Sequence, residues 1–258
     1  RKEVSRLGGE VRFGAQVTDV ELAGGQLAAL IVNGEERITA DAAFFGIGHS
    51  ARDTYAMLYE KGLAMEAKAF AIGVRIEHPQ AFIDRAQYGA DAGNPRLPVA
   101  DYALTFQDRA TGRGAYSFCM CPGGVVVPAA SSPGQLVVNG MSPSNRGTYW
   151  SNSGMVVEIH PEDLPEKYQQ YQELAMMHYQ EDLERTCFEQ AKCSQVAGAQ
   201  RMKDFVEGKP SKLIPPSSFP AGLQPSRLDQ WLPQFIRDRL RKAFKVFGNA
   251  EKGFFTNE

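Results

Sequence analysis

The sequence predicts an α+β protein, and three observations carry that expectation. Nineteen of the 25 glycines fall in residues 1–150, where short alternating apolar stretches are separated by Gly- and Pro-containing turns. That pattern favours antiparallel strands joined by tight connections. Beyond residue 150 the density of charge rises, and apolar residues recur at helical spacing, as in Ile236, Leu240, Phe244 and Phe247. Two regions are expected: 1–65, and a longer antiparallel β domain with C-terminal helices over 66–258.

The elements follow in order. Residues 1–7 read as a helix stopped by Gly8-Gly9. Residues 10–22 are extended, Ala23-Gly24-Gly25 turns the chain, and 26–32 return. Asn33-Gly34 then makes a second turn, because both positions tolerate positive φ. With residues 35–40 this is a three-stranded meander. Ala42–Ile47 is a short apolar run, expected to be a strand buried on both faces. Ser50 is placed to cap a helix over 51–61, with Asp53 at its third position.

Residues 68–77 alternate. Phe70, Ile72, Val74 and Ile76 face one way, and Ala71, Gly73, Arg75 and Glu77 the other. Pro79 suits the first turn of a helix reaching about Tyr88. Further strands are expected at 101–107, 113–121, 124–129, 135–139 and 154–160. Helices are expected at 164–190, 197–207 and 226–247. The proline-rich stretch 209–225 is expected to cross a surface without forming an element.

Composition excludes several functions. The 28 basic and 30 acidic residues give a formal charge of −2. A broad nucleic-acid or membrane-surface footprint needs a basic excess. No apolar run approaches the roughly 18–20 residues of a membrane span. Four cysteines in 258 residues are too few for a secreted disulfide scaffold, so a cytoplasmic setting is expected. No second short Cys/His pair joins Cys119-Met120-Cys121 to supply tetrahedral spacing, and no metal is expected. The chain lacks an initiator Met, opens as if a helix were already under way and stops at GFFTNE. A piece of a longer protein is expected.

The meander followed by ADAAFFGIGHS resembles a segment of FAD-dependent oxidoreductases in which an apolar strand ends in a small-residue turn close to the dinucleotide. A backbone approaches a cofactor most closely where no Cβ intervenes. The ordered series GHSARDTYAML, FAIGVRIEHPQ, YSFCMCPGG, VVNGMS and NSGMVVEI extends the likeness over nearly the whole chain. Together they resemble the middle of the bacterial uncharacterised FAD-dependent dehydrogenases, also labelled NAD(FAD)-utilising dehydrogenases. The resemblance implies that residues 1–65 are the central part of an α/β FAD-binding domain, incomplete here. It implies FAD in the intact protein, with Gln16 and Val17 along the adenine and Gly46, Gly48, His49 and Ser50 near the dinucleotide. His49 also reads as an ordinary turn residue. No G-x-G-x-x-G occurs, so the helix N-terminus that cradles a diphosphate is missing and the chain alone is expected to carry no flavin.

On the substrate side the candidates are Cys119, Cys121, Arg75 and His78. In a regular strand Cys119, Cys121 and Ser117 project from one face. The thiol pair reads either as redox-active or as two small buried groups. Arg75 with Glu77 reads either as the lining of a cleft, where Arg holds a carboxylate, or as a surface ion pair. The polar stretch Asn139-Gly140-Met141-Ser142, with Arg146 and Asn152, is read as an inter-strand loop. The function expected is part of an FAD-dependent oxidoreductase acting on a small molecule. The alternatives are a non-catalytic module of flavoprotein-like shape and a flavin-independent thiol redox protein using Cys119 and Cys121. A homodimer through an exposed sheet edge is expected as a means of covering the strand at 42–47.

Overall fold

The computed structural model describes residues 1–250, 254 and 255. Its mixed helices and antiparallel sheets make an α+β fold. The chain divides into two compact units, Arg1–Ala67 and Lys68–Glu258.

The first unit contains α1 (Lys2–Arg6), β1 (Val17–Ala23), β2 (Gln26–Val32), β3 (Glu36–Thr39) and α2 (Arg52–Glu60). The three strands form the expected antiparallel meander, with Val20 opposite Leu30 and Leu30 opposite Ile38. Asn33 and Gly34 hold φ of 53° and 79°, which sets the second turn. Val20, Ala29, Val32 and Leu58 are its buried apolar residues.

Two expectations fail in this unit. Residues 42–47 form no strand, and Phe44 is fully exposed. An apolar run is a two-sided buried strand only when neighbours satisfy its amides, and no described strand pairs with it. Ser50 does not cap α2. Ala51 occupies the cap position, without a side-chain bond, and the Ser50 hydroxyl lies 3.5 Å from His49 Nε2 instead.

The second unit begins with β4 (Phe70–Pro79) and α3 (Gln80–Tyr88), followed by β5 (Thr105–Asp108), β6 (Arg113–Cys121), β7 (Val125–Pro128), β8 (Val138–Met141) and β9 (Trp150–Ile159). α4 (Ala175–Gln190), β10 (Ala197–Ala199), α5 (Met202–Glu207), β11 (Leu223–Pro225), α6 (Leu228–Trp231) and α7 (Gln234–Ala250) complete it. The principal sheet runs β4-β9-β6-β5, antiparallel throughout. One of its faces carries Ile76, Ala115, Met155 and Val157, all buried. The apolar stripe of α7, Ile236, Leu240, Ala243, Phe244 and Phe247, is buried as its spacing predicts, and this helix packs along the sheet.

Expectations are corrected at three places in this unit. The stretch 164–190 is broken: 3₁₀ turns over Glu166–Leu174 precede α4, with Gln172 at φ 49°. Residues 197–199 are a strand, β10, because they pair in parallel with β11. The proline-rich stretch therefore does form an element. Its Phe219 is also buried, in a cluster with Val126, Leu136, Ala191 and Ala197 that anchors the β7–β8 hairpin.

Candidate functional site

Register decides what the other face of the sheet presents. Arg75 lies opposite Gly154, which lies opposite Phe118, and Glu77 lies opposite Asn152. In a regular ladder Cys121 would share the α7-covered face with Ala115 and Ser117. It does not, because β6 takes three steps from Phe118 to Cys121 while β9 takes two from Gly154 to Asn152. This bulge, with Cys119 at φ 47°, turns Cys121 onto the face of Arg75 and Asn152. The expectation that regular alternation sets both thiols beside Ser117 is corrected accordingly. Cys119 is exposed, Cys121 is buried, and both thiols are free.

Arg75 is half-buried and is the centre of the group. Its Nη1 donates to Asn152 Oδ1 at 2.5 Å and to the Cys119 carbonyl at 3.3 Å. Its Nη2 donates to Asn139 Oδ1 at 3.2 Å. The Cys121 thiol donates to the same Cys119 carbonyl at 3.4 Å. Burial and the neighbouring Cys119 thiol push the Cys121 thiol up, against the pull of Arg75. It is therefore a neutral thiol near pH 7.

Gly140 is required here by close approach. A Cβ at this position would stand 2.1 Å from Asn152 Oδ1 and 2.3 Å from Arg75 Nη1. The adjoining turn is equally tight. Gly123, at φ 52°, gives its amide to Gln80 Oε1 at 2.7 Å. The Pro122 carbonyl accepts from the Ser142 hydroxyl at 2.8 Å, and the Gly124 carbonyl from the Thr148 hydroxyl at 3.0 Å.

The remaining substrate-side candidates lie elsewhere. Arg75 and Glu77 do not pair. Glu77 Oε1 instead takes the Ser218 amide at 3.1 Å and the Ser218 hydroxyl, tying down the segment before β11. His78 is buried between Phe82 and Phe254, with Nε2 3.2 Å from the Phe254 carbonyl. Burial lowers its pKa, so the ring is neutral and belongs to an aromatic cluster, not to the Arg75 group. Asn139 and Asn152, read from the sequence as parts of a loop, stand on β8 and β9. The only sequence signal for them was polarity inside otherwise apolar strands.

The six residues expected on the cofactor side all lie in the first unit. The Gln16 amide donates to Asn33 Oδ1 at 2.9 Å, and its carbonyl accepts from the Asn33 amide at 2.8 Å. Val17 pairs with Val32 in the meander. The Gly48 carbonyl takes the Tyr55 hydroxyl at 3.0 Å. Gly46, His49 and Ser50 are exposed. The Gln16, Val17 and Gly48 backbone groups are thus committed internally, and among the described residues no Gly-rich helix N-terminus is present to hold a diphosphate. The residues present do not compose an FAD site by themselves, and no step is routed through flavin.

No cluster of three or more His, Cys, Asp or Glu side chains suited to a metal occurs among the described residues. No described helix is long and apolar enough to cross a membrane.

Fold and site together define an α+β protein whose principal sheet is packed by a helix on one face and bears a guanidinium group on the other. The chain belongs to the family described as FAD-dependent protein, C-terminal domain-like, whose model matches residues 69–258. It is also 43% identical over 258 residues to an uncharacterized protein of Clostridium beijerinckii (strain ATCC 51743 / NCIMB 8052). That match covers 98% of this chain and 47% of the relative, so the chain spans about half the length of the curated relative it matches.

Proposed function

We propose that this chain is part of an FAD-dependent oxidoreductase, a dehydrogenase acting on a small molecule in the cytoplasm, with residues 66–258 on the substrate side. The observation that carries the reading is the Arg75 group. A half-buried guanidinium is held by three neutral oxygens beside a neutral thiol on one sheet face. Such an arrangement binds and orients a polar substrate. The family match supports flavin as the source of the redox chemistry when it is bound. The chain's own residues contribute binding and orientation. The thiol-redox alternative has less support, because the reacting form of cysteine is the thiolate and burial disfavours it at Cys121.

The test uses the full-length protein containing this chain. It should carry flavin absorbing at about 450 nm that a reduced nicotinamide or small-molecule donor bleaches. Arg75→Gln should lower turnover per substrate concentration by about tenfold or more at unchanged flavin content. A full-length protein without flavin, or an Arg75→Gln variant with unchanged turnover, would contradict the reading.

A further inference from the structure

We infer that the Arg75–Asn152 group is a carboxylate-binding site, and that the substrate is a small carboxylic acid with an apolar body. The inference rests on the reading of this face as the substrate side, and it adds the chemical class.

The first support is charge. Among the described residues no carboxylate pairs with Arg75. Glu77, two residues along the same strand face, is bound to Ser218. Cys121, the nearest ionisable side chain in the group, is held neutral by burial. A cation surrounded by neutral acceptors is an anion site in its electrostatics.

The second support is hydrogen-bond capacity. Guanidinium has five N–H groups. Contacts to Asn152, Cys119 and Asn139 use three of them, and Nε makes no bond among the described residues. The free donors lie on a planar fork whose geometry matches the two oxygens of a carboxylate.

The third support is independent of Arg75. Asn152 is 1% exposed, yet its Nδ2 has no hydrogen-bond partner. Its Oδ1 accepts from Arg75, so the amide cannot flip without turning Nδ2 against the guanidinium. The unpaired donor therefore stays within the same group, and buried donors of this kind are normally satisfied. Asn139, in contrast, is exposed and offers Arg75 only a neutral oxygen at 3.2 Å. A carboxylate that displaces it replaces a neutral acceptor by a charged one, with Asn152 Nδ2 as a second donor.

The apolar body follows from Phe118, which lies on the same sheet face and is 62% exposed.

The experiment is a ligand-observed NMR titration of the 258-residue chain, free of flavin, with benzoate, its neutral isostere benzamide, succinate, inorganic phosphate and FAD. Benzoate should bind at least about tenfold more tightly than benzamide. Asn139→Asp, which places a carboxylate beside Arg75 at an exposed position, should weaken benzoate about tenfold or more. Arg75→Gln should do the same, and circular dichroism of both variants should match the parent. Equal binding of benzoate and benzamide, undiminished binding to Asn139→Asp, no benzoate binding at all, or binding of phosphate or FAD alone would each overturn the inference. Because no flavin is present, such a failure leaves the flavin reading to its own test.

Discussion

A Cβ added at Gly123 would stand 1.7 Å from the Arg146 carbonyl oxygen, whereas one added at Gly46 would meet no described atom within 4 Å. In the sequence Gly46 lies on the expected cofactor side, and Gly123 follows Cys121 in the motif YSFCMCPGG. In the second unit the reason for glycine is in the chain itself: backbone from the β8–β9 connection fills the space. In the first unit the chain supplies no such reason. The contrast teaches that the turn at Gly123 is determined by its own neighbours, while Gly46 is not.

The largest effect that can break this comparison is at Gly123. Gly123→Ala combines a positive φ of 52° with a backbone collision, so it should destabilise by about 3 kcal/mol or more. Denaturant unfolding would measure it, and a loss below 1 kcal/mol, on the order of an exposed substitution, would show that the turn is not so constrained.

The next effect is acid sensitivity centred on His78. Burial holds its folded-state pKa below the unfolded value of about 6.5. The folded state then binds fewer protons than the unfolded state. His78 contributes its full stability above that pH and loses it as pH falls toward the folded-state pKa. Each pKa unit of the difference is worth about 1.4 kcal/mol. Unfolding midpoints between about pH 7 and pH 5 should fall in the parent and stay flatter in His78→Phe, and parallel curves would refute the assignment.

The smallest effects belong to the first unit. Gly46→Ala should change stability by no more than about 0.5 kcal/mol. Gly48→Ala, at φ 68°, should cost about 1 kcal/mol, from backbone strain alone. A large loss at Gly46 would mean that its surroundings are built by the chain after all.

Much of the fold was legible because periodicity reports burial. The meander, the two-faced β4 and the buried stripe of α7 all follow from spacing. Arg75 was legible for the same reason, as a charge on the polar face of an apolar strand. Cys121 was a candidate too, but its face was not legible, because the bulge at Cys119 depends on pairing with β9 and leaves no mark in alternation. Asn139 and Asn152 read as loop residues, since propensity opposes asparagine in strands and only tertiary pairing overrides it. The run 42–47 misled in the opposite direction: its apolar composition suggests a buried strand, but strand formation needs partners, and none among the described residues supplies them.

The chain holds a polar group around Arg75 on its sheet, whereas the residues around Gly46–Gly48 do not compose an FAD site by themselves. The most direct measurement is an absorbance scan at about 450 nm of the purified 258-residue chain, followed by titration with FAD. The account predicts a colourless preparation that takes up no stoichiometric flavin, since partial contacts must still offset several kcal/mol of lost freedom on association. A yellow preparation with one FAD per chain would contradict it and place a working cofactor site within these residues.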